Sequence, residues 1–270
     1  MDRQYALAFL TLPDVAPAEA IRIAAETGYS SVGLRLLPAA ASGEGPYLIM
    51  TDKAVLAEAR AALAETGMRV GDVEIARLKP ETKATDFRAF LDCAAALGAA
   101  NILVAGDDTD HARLAQTFAA FAELAAGYDL TADLEFMPWT GVRNAAEAVA
   151  IVKAAGQANG GVLADALHWD RTGGRVEDLA FIPTETVHYF QLCDAPAEYD
   201  PSDAGLIEIA RGGRLLPGQG GIDLRAFVRA LPENVPVSIE IANAGFNTSL
   251  SPRTRAVQAL AAAKAVIAVL

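Results

Sequence analysis

The sequence predicts a single (β/α)8 barrel spanning residues 1–270, and three observations lead there. Short β-branched or aliphatic runs alternate with longer alanine-rich helical patterns about eight times along the chain. Spread over 270 residues, eight units average about 34 residues each, the period of a closed barrel. No linker, low-complexity tract or charge run divides the chain.

Strands are expected over residues 5–10, 31–36, 69–75, 100–105, 132–136, 162–166, 188–192 and 237–241. Helices are expected over 17–26, 52–65, 83–97, 111–126, 144–155, 176–181, 223–230 and 252–269. Gly28, Gly67, Gly98 and Gly127 each follow a helical pattern, where a left-handed residue ends a helix. Apolar strands alternating with helices imply parallel strands covered on both faces. An open doubly wound sheet is the competing arrangement. It needs a glycine-rich phosphate loop after an early strand, and Thr11-Leu12-Pro13-Asp14 is not one. The longest connection with turn chemistry runs over 193–222, with five glycines in the eleven residues from Arg211 to Gly221. A connection of that length after the seventh strand is expected to serve function. The 37–47 connection is expected to help shape the pocket.

Composition narrows the function. The net charge of −12 (22 basic, 34 acidic residues) and a pI near 4.7 argue against nucleic acid, whose phosphates are bound by Lys and Arg. A small polar substrate held by a few arginines remains compatible. Mean hydropathy is +0.25, yet no apolar run approaches the ~18–20 residues that span a bilayer. Met1-Asp2-Arg3-Gln4-Tyr5 does not open a secretion signal, so a cytoplasmic location and no membrane partner are expected. Cys93 and Cys193 are too few for a disulfide framework and read as reduced core thiols.

The chemistry lies in four strand ends. Glu135, Asp165, Gln191 and Glu240 close the fifth to eighth strand patterns at separations of 30, 26 and 49 residues, each about one βα unit. The last is lengthened by the glycine-rich segment. A lone strand-end carboxylate is usually a helix N-cap or a surface group. Four on consecutive units, inside apolar runs where an unpaired charge is costly, point to one shared cation. Three carboxylates and an amide carbonyl form a hard-oxygen set, suited to Mn2+ or Mg2+, with Co2+ or Zn2+ as competitors.

Five motifs extend this arc. They are Leu134-Glu135-Phe136-Met137-Pro138, Asp165-Ala166-Leu167-His168, Phe190-Gln191-Leu192-Cys193-Asp194, Arg214-Leu215-Leu216-Pro217-Gly218-Gln219-Gly220 and Ser238-Ile239-Glu240. In that order and spacing they resemble the sugar phosphate isomerase/epimerase family, the xylose isomerase-like TIM barrels. The resemblance covers nearly the whole chain. Most relatives have histidine where this chain has Gln191; hydroxypyruvate isomerase-like members have glutamine, and the ligand pattern is also similar to keto-inositol isomerase-like members.

The resemblance implies one divalent ion on Glu135, Asp165, Gln191 and Glu240. It implies proton exchange by Glu135 and Glu240 through a cis-enediolate of a small sugar, keto-sugar or inositol-derived ketone. His168 and Arg214 then contact substrate oxygens, His168 alternatively orienting Asp165. Arg35, Trp139 and Arg171 are further substrate-binding candidates, with Glu74 and Arg77 after the third strand as weaker ones. Asp194 is expected to support the site, His188 to lie in the core or behind the site, and His111 to be exposed. The alternative activity is a metal-dependent dehydratase, 3-dehydroshikimate- or keto-inositol-dehydratase-like, sharing the first proton abstraction. The nuclease branch of this barrel needs more histidines than the three present. A barrel that kept the ligands but lost catalysis is disfavoured by the intact set. The family also implies a homodimer or homotetramer.

Overall fold

Eight parallel strands close on themselves in chain order, with the first strand hydrogen-bonded to both the second and the eighth. The computed structural model describes residues 3–39 and 47–268. The strands are β1 (Tyr5–Leu7), β2 (Ser31–Arg35), β3 (Arg69–Leu78), β4 (Ala99–Gly106), β5 (Thr131–Glu135), β6 (Gly160–Asp165), β7 (Phe190–Leu192) and β8 (Val237–Ile239). The helices are α1 (Pro17–Thr27), α2 (Leu48–Thr51), α3 (Lys53–Thr66), α4 (Arg88–Ala96), α5 (His111–Ala126), α6 (Ala145–Ala155), α7 (Ala166–Arg171), α8 (Val176–Ala180), α9 (Asp203–Gly212), α10 (Leu224–Arg229), α11 (Ala244–Ser249) and α12 (Pro252–Ile267). Residues 40–46, most of the 37–47 connection, lie outside the described residues. Among the described residues, no helix is long and apolar enough to cross a membrane.

Side-chain alternation divides each strand between two cores. Val73, Ile102, Val104, Leu134, Val162, Phe190 and Ile239 belong to the large apolar cluster shared with the helices. The intervening Leu103, Ala105, Leu163 and Tyr189 form a second, smaller cluster with Ile75 and Met137 inside the barrel. The strands are buried on both faces as expected, but the inner face is not continuously apolar. Register sets Gly33 beside Asp72, Leu103 beside Asp133, Ala105 beside Glu135 and Asp165 beside Gln191.

The caps explain where most helices begin. Asp52, Asp110, Asn144, Asp223 and Ser251 each accept a backbone N–H from the first turn of the helix that follows. Gly28, Gly67 and Gly98 take positive φ, as read from sequence. Gly127 does not: its φ is −65°, and Asp129 is the left-handed residue, at φ 59°. The chain turns once more past α5 before reversing, and aspartate tolerates that conformation better than most residues.

Other departures follow from tertiary contacts. β1 ends at Leu7, and a 3-10 turn over Phe9–Thr11 follows. There the Thr11 hydroxyl donates to Ile239 O (2.8 Å) and accepts from Ile241 N (2.9 Å). β3 runs on to Leu78, so Glu74 and Arg77 lie on the strand rather than after it. The helix expected over 83–97 begins as a 3-10 turn, Ala84–Phe87, before α4. The 193–222 connection contains α9, capped by Ser202 and seated through Leu206 and Ala210.

Candidate active site

The C-terminal end of the barrel opens into a cavity of about 280 Å³ whose lining includes Arg35, Glu74, Glu135, Trp139, His168, Arg214 and Glu240. Asp165 and Gln191 do not line it and are fully buried, joined to the lining through Arg214 and Glu240.

Arg214 ties this arc together. Its Nη1 donates to Asp165 Oδ2 at 2.6 Å, its Nη2 lies 2.9 Å from Glu240 Oε2, and its Nε donates to Ala210 O at 2.9 Å. Gln191 Nε2 donates to Glu240 Oε1 at 3.1 Å. Arg214 is 2% exposed and already committed to two carboxylates. Asp165 is also a helix cap, its Oδ1 accepting from Leu167 N (2.8 Å) and His168 N (3.1 Å) at the start of α7. The ordinary reading of a strand-end aspartate and the functional one hold together at this residue.

Asp194 supports the site from behind. Its Oδ1 accepts from Ala195 N and Ile222 N, and its Oδ2 from Gly218 N and Gly220 N, all between 2.8 and 3.1 Å. One carboxylate thus folds the glycine-rich segment that follows Arg214. A Cβ on Gly220 would meet Ala195 O at 2.2 Å, so that position requires glycine.

On the opposite side, Arg35 donates to Glu74 Oε2 from Nε (3.0 Å) and Nη2 (2.6 Å), and lies 4.7 Å from the Phe9 ring centroid. Trp139 packs edge-on against His168, centroids 5.0 Å apart. His168 Nε2 is 3.6 Å from Glu135 Oε1, and its Nδ1 is buried with no partner among the described residues. Arg77 lines the cavity while bound to Asp107, and Arg211, at the end of α9, reaches its rim. Arg171 is not brought to the cavity. It pairs with Asp170, donates to Pro196 O and stacks 3.8 Å from the Tyr199 centroid. His188 pairs with Asp133 at 2.6 Å toward the other end of the barrel, and His111 is half-exposed beside Gly141 O. Both cysteines are free and buried.

Burial and charge tune these groups differently. Burial, then the nearby charges of Asp165 and Glu240, push Glu135 well above the usual carboxylate range. Burial pushes Glu240 up to about 7, although Arg214 opposes it. Burial also works against the Asp165 charge, but Arg214 and His168 outweigh it and hold this carboxyl below its ordinary value. Burial brings His168 down to about 4, leaving the ring neutral at physiological pH.

The donor set fits a divalent cation. Arg214 pairs with Asp165 and Glu240, Glu135 lies nearby, and the Gln191 Oε1 is buried with no partner among the described residues. Donor atoms of Glu135, Asp165 and His168 all lie within 4.8 Å of one another. His168 thus stands closer to the candidate ligands than its place in the motif indicates. Glu74 and Arg211 carried weak or no signal in sequence, because only the barrel closure and α9 bring them here.

A family model described as xylose isomerase-like TIM barrel matches residues 21–266. The chain belongs to that family. Within it, a 3-dehydroshikimate dehydratase of Pseudomonas aeruginosa is 34% identical over 142 residues, covering 51% of this chain and 22% of that one. An inosose isomerase of Bacillus velezensis is 29% identical over 132 residues, 47% of this chain and 45% of the relative. The matched regions therefore span less than half the length of either curated relative. Among solved structures, one titled as the IOLI protein with a binding zinc atom superposes with TM-score 0.79 over 98% of both chains at 16% identity, a likeness of fold.

Proposed function

We propose that this chain is a divalent-metal-dependent enzyme that moves a proton next to the ketone of a small polyhydroxylated substrate, as an isomerase or epimerase. The observation that carries this reading is the placement of Glu135 and Glu240. Both line one cavity, Glu135 at the end of β5 and Glu240 directly after β8, so the cavity carries two carboxylates on wall segments separated by β6 and β7. Two carboxylates placed on different parts of one cavity wall can serve in turn as base and acid. Glu135, Asp165, Gln191 and Glu240 would hold the ion, whose chemistry is Lewis-acid polarisation of the substrate carbonyl. Oxygen donors favour Mn2+ or Mg2+; the zinc in the structural neighbour keeps Zn2+ in view. Glu240 removes the proton on one side of the substrate, and Glu135 returns one on the other side or to the adjacent carbon. Neutral His168, whose Nδ1 has no partner among the described residues, hydrogen-bonds a substrate oxygen, and Trp139 closes the wall behind it. Arg35, held by Glu74 and Phe9, presents a fixed cation to the cavity.

A dehydratase is the second reading, supported by the longer and more identical of the two curated matches. The same proton abstraction followed by loss of a β-hydroxyl gives a conjugated enone. The test compares wild type with Glu240→Gln for bound metal and for solvent deuterium entering ketoses, keto-inositols and 3-dehydroshikimate. Wild type should bind about one divalent ion per chain and exchange deuterium, with exchange reduced ~10²–10⁴-fold in the variant. An ultraviolet-absorbing product identifies the dehydratase, and an isotopically labelled isomer the isomerase. A wild-type chain that takes up no ion under any loading condition would sink both readings.

A further inference from the structure

A second cavity, of about 230 Å³, opens at the opposite end of the barrel, where the strands begin. It is lined by Gln4, Ser31, Asp72, Asn101 and Tyr189, with Arg69 at its edge. Asp72 is 1% exposed, and neither of its carboxyl oxygens has a hydrogen-bond partner among the described residues. The Tyr189 hydroxyl is likewise buried and unpartnered. No described side chain nearby fills the gap. Arg69 turns to Gln4 Oε1 at 3.3 Å, and Asn101 spends its amide on Gly71 O at 2.7 Å and accepts from Thr131.

The barrel is shaped around this carboxylate. A Cβ on Gly33, the register neighbour of Asp72, would meet Asp72 Oδ1 at 2.9 Å, and one on Gly71 would meet Ser31 Oγ at 2.9 Å. Glycine inside a strand marks such close approach. The surrounding field is negative: Glu74, Glu240 and Asp133 all act on Asp72, opposed by Arg35. A buried carboxylate without a partner is costly, and so is a buried hydroxyl. A proton on Asp72 would remove its charge yet leave the new O–H without an acceptor.

We propose that the N-terminal mouth of the barrel is a binding site for a monovalent cation, held by the Asp72 carboxylate and the hydroxyl oxygens of Tyr189 and Ser31. All three donors are hard oxygens. Among the described residues a single carboxylate, Asp72, lines the cavity, which matches one positive charge rather than two, and the volume leaves room for water around the ion. The site is separate from the catalytic cavity, sharing no lining residue with it.

The test is thermal unfolding of the protein saturated with Mn2+, in sodium, potassium, ammonium or tetramethylammonium chloride at matched ionic strength. At about a hundredfold excess over Kd, one of the small cations should raise Tm by about 5 °C or more over the bulky one. Asp72→Asn should show the same Tm in all four salts. If that variant does not fold, Tyr189→Phe and Ser31→Ala should each shrink the difference. Thallium(I), soaked into crystals in place of potassium, should give an anomalous peak beside Asp72. Equal wild-type Tm values in all four salts, or no thallium peak there, would overturn the proposal and leave a buried proton as the compensating charge.

Discussion

Asp165 and Asp72 are both fully buried aspartates inside the same barrel, and they behave in opposite ways. Asp165 accepts two backbone amides and the Arg214 guanidinium, and its carboxyl is held below the ordinary range. Asp72 accepts no hydrogen bond among the described residues, faces other acids, and is pushed well above it. Burial opposes the charge at both, so depth alone does not decide ionisation. The partners do: α7 supplies amides at one end of the barrel, and among the described residues no amide or guanidinium hydrogen-bonds the other carboxylate.

Three perturbations test how partners set the behaviour of these buried groups. Arg214→Met should have the largest effect, because it leaves Asp165 and Glu240 facing each other without their shared cation. Metal-free protein should lose ~3–5 kcal/mol in denaturant unfolding. Saturating divalent ion should return part of that loss if the ion occupies the same carboxylates; identical losses with and without metal would argue against the shared site.

Asp194→Asn is next. It replaces an acceptor of four amides by a group with one acceptor oxygen and an NH2 turned against two N–H donors. A loss of about 2–3 kcal/mol is expected, together with faster hydrogen exchange confined to the amides of Gly218, Gly220 and Ile222. Uniform exchange across the barrel would contradict the anchoring role.

The smallest effect concerns pH. Glu240, raised from 4.5 to about 7, binds its proton more tightly when folded, so its contribution grows as pH falls from 7 toward 4.5. His168, lowered from 6.5 to about 4, does the reverse: its contribution is complete above 6.5 and is lost as pH falls toward 4. Between pH 7 and 5 each is worth about 2 kcal/mol with opposite sign, so the two nearly cancel in metal-free protein. His168→Gln removes one side. Relative to wild type, the variant should gain about 2 kcal/mol on acidification over that range, read from urea midpoints at each pH.

Much of this was legible along the chain, and the reason is periodicity. Apolar strand runs, capping residues before helices and one βα unit per interval place Glu135, Asp165, Gln191 and Glu240 at successive strand ends without any coordinates. The family motifs, confined to these strand ends and the segment after Arg214, share that local character. Gly33 and Gly161 carry a further signal in the sequence. Each is a glycine within a strand where a Cβ would strike a buried polar group: Asp72 at Gly33, and Asp133 and His188 at Gly161.

Pairing, by contrast, is set by the folded chain. Arg214 looks like a loop charge until the fold seats it between Asp165 and Glu240. Arg171 looks like a rim residue until α7 turns it onto Tyr199. Asp72 and Tyr189 are 117 positions apart in sequence, and only closure of the barrel brings both to one cavity. The sequence by itself determined which residues stand at the ends of the strands, because strand period and helix caps act over a few neighbours. Which charge meets which was left to the closed sheet, because electrostatic partners are chosen by distance in space and by the water that burial removes.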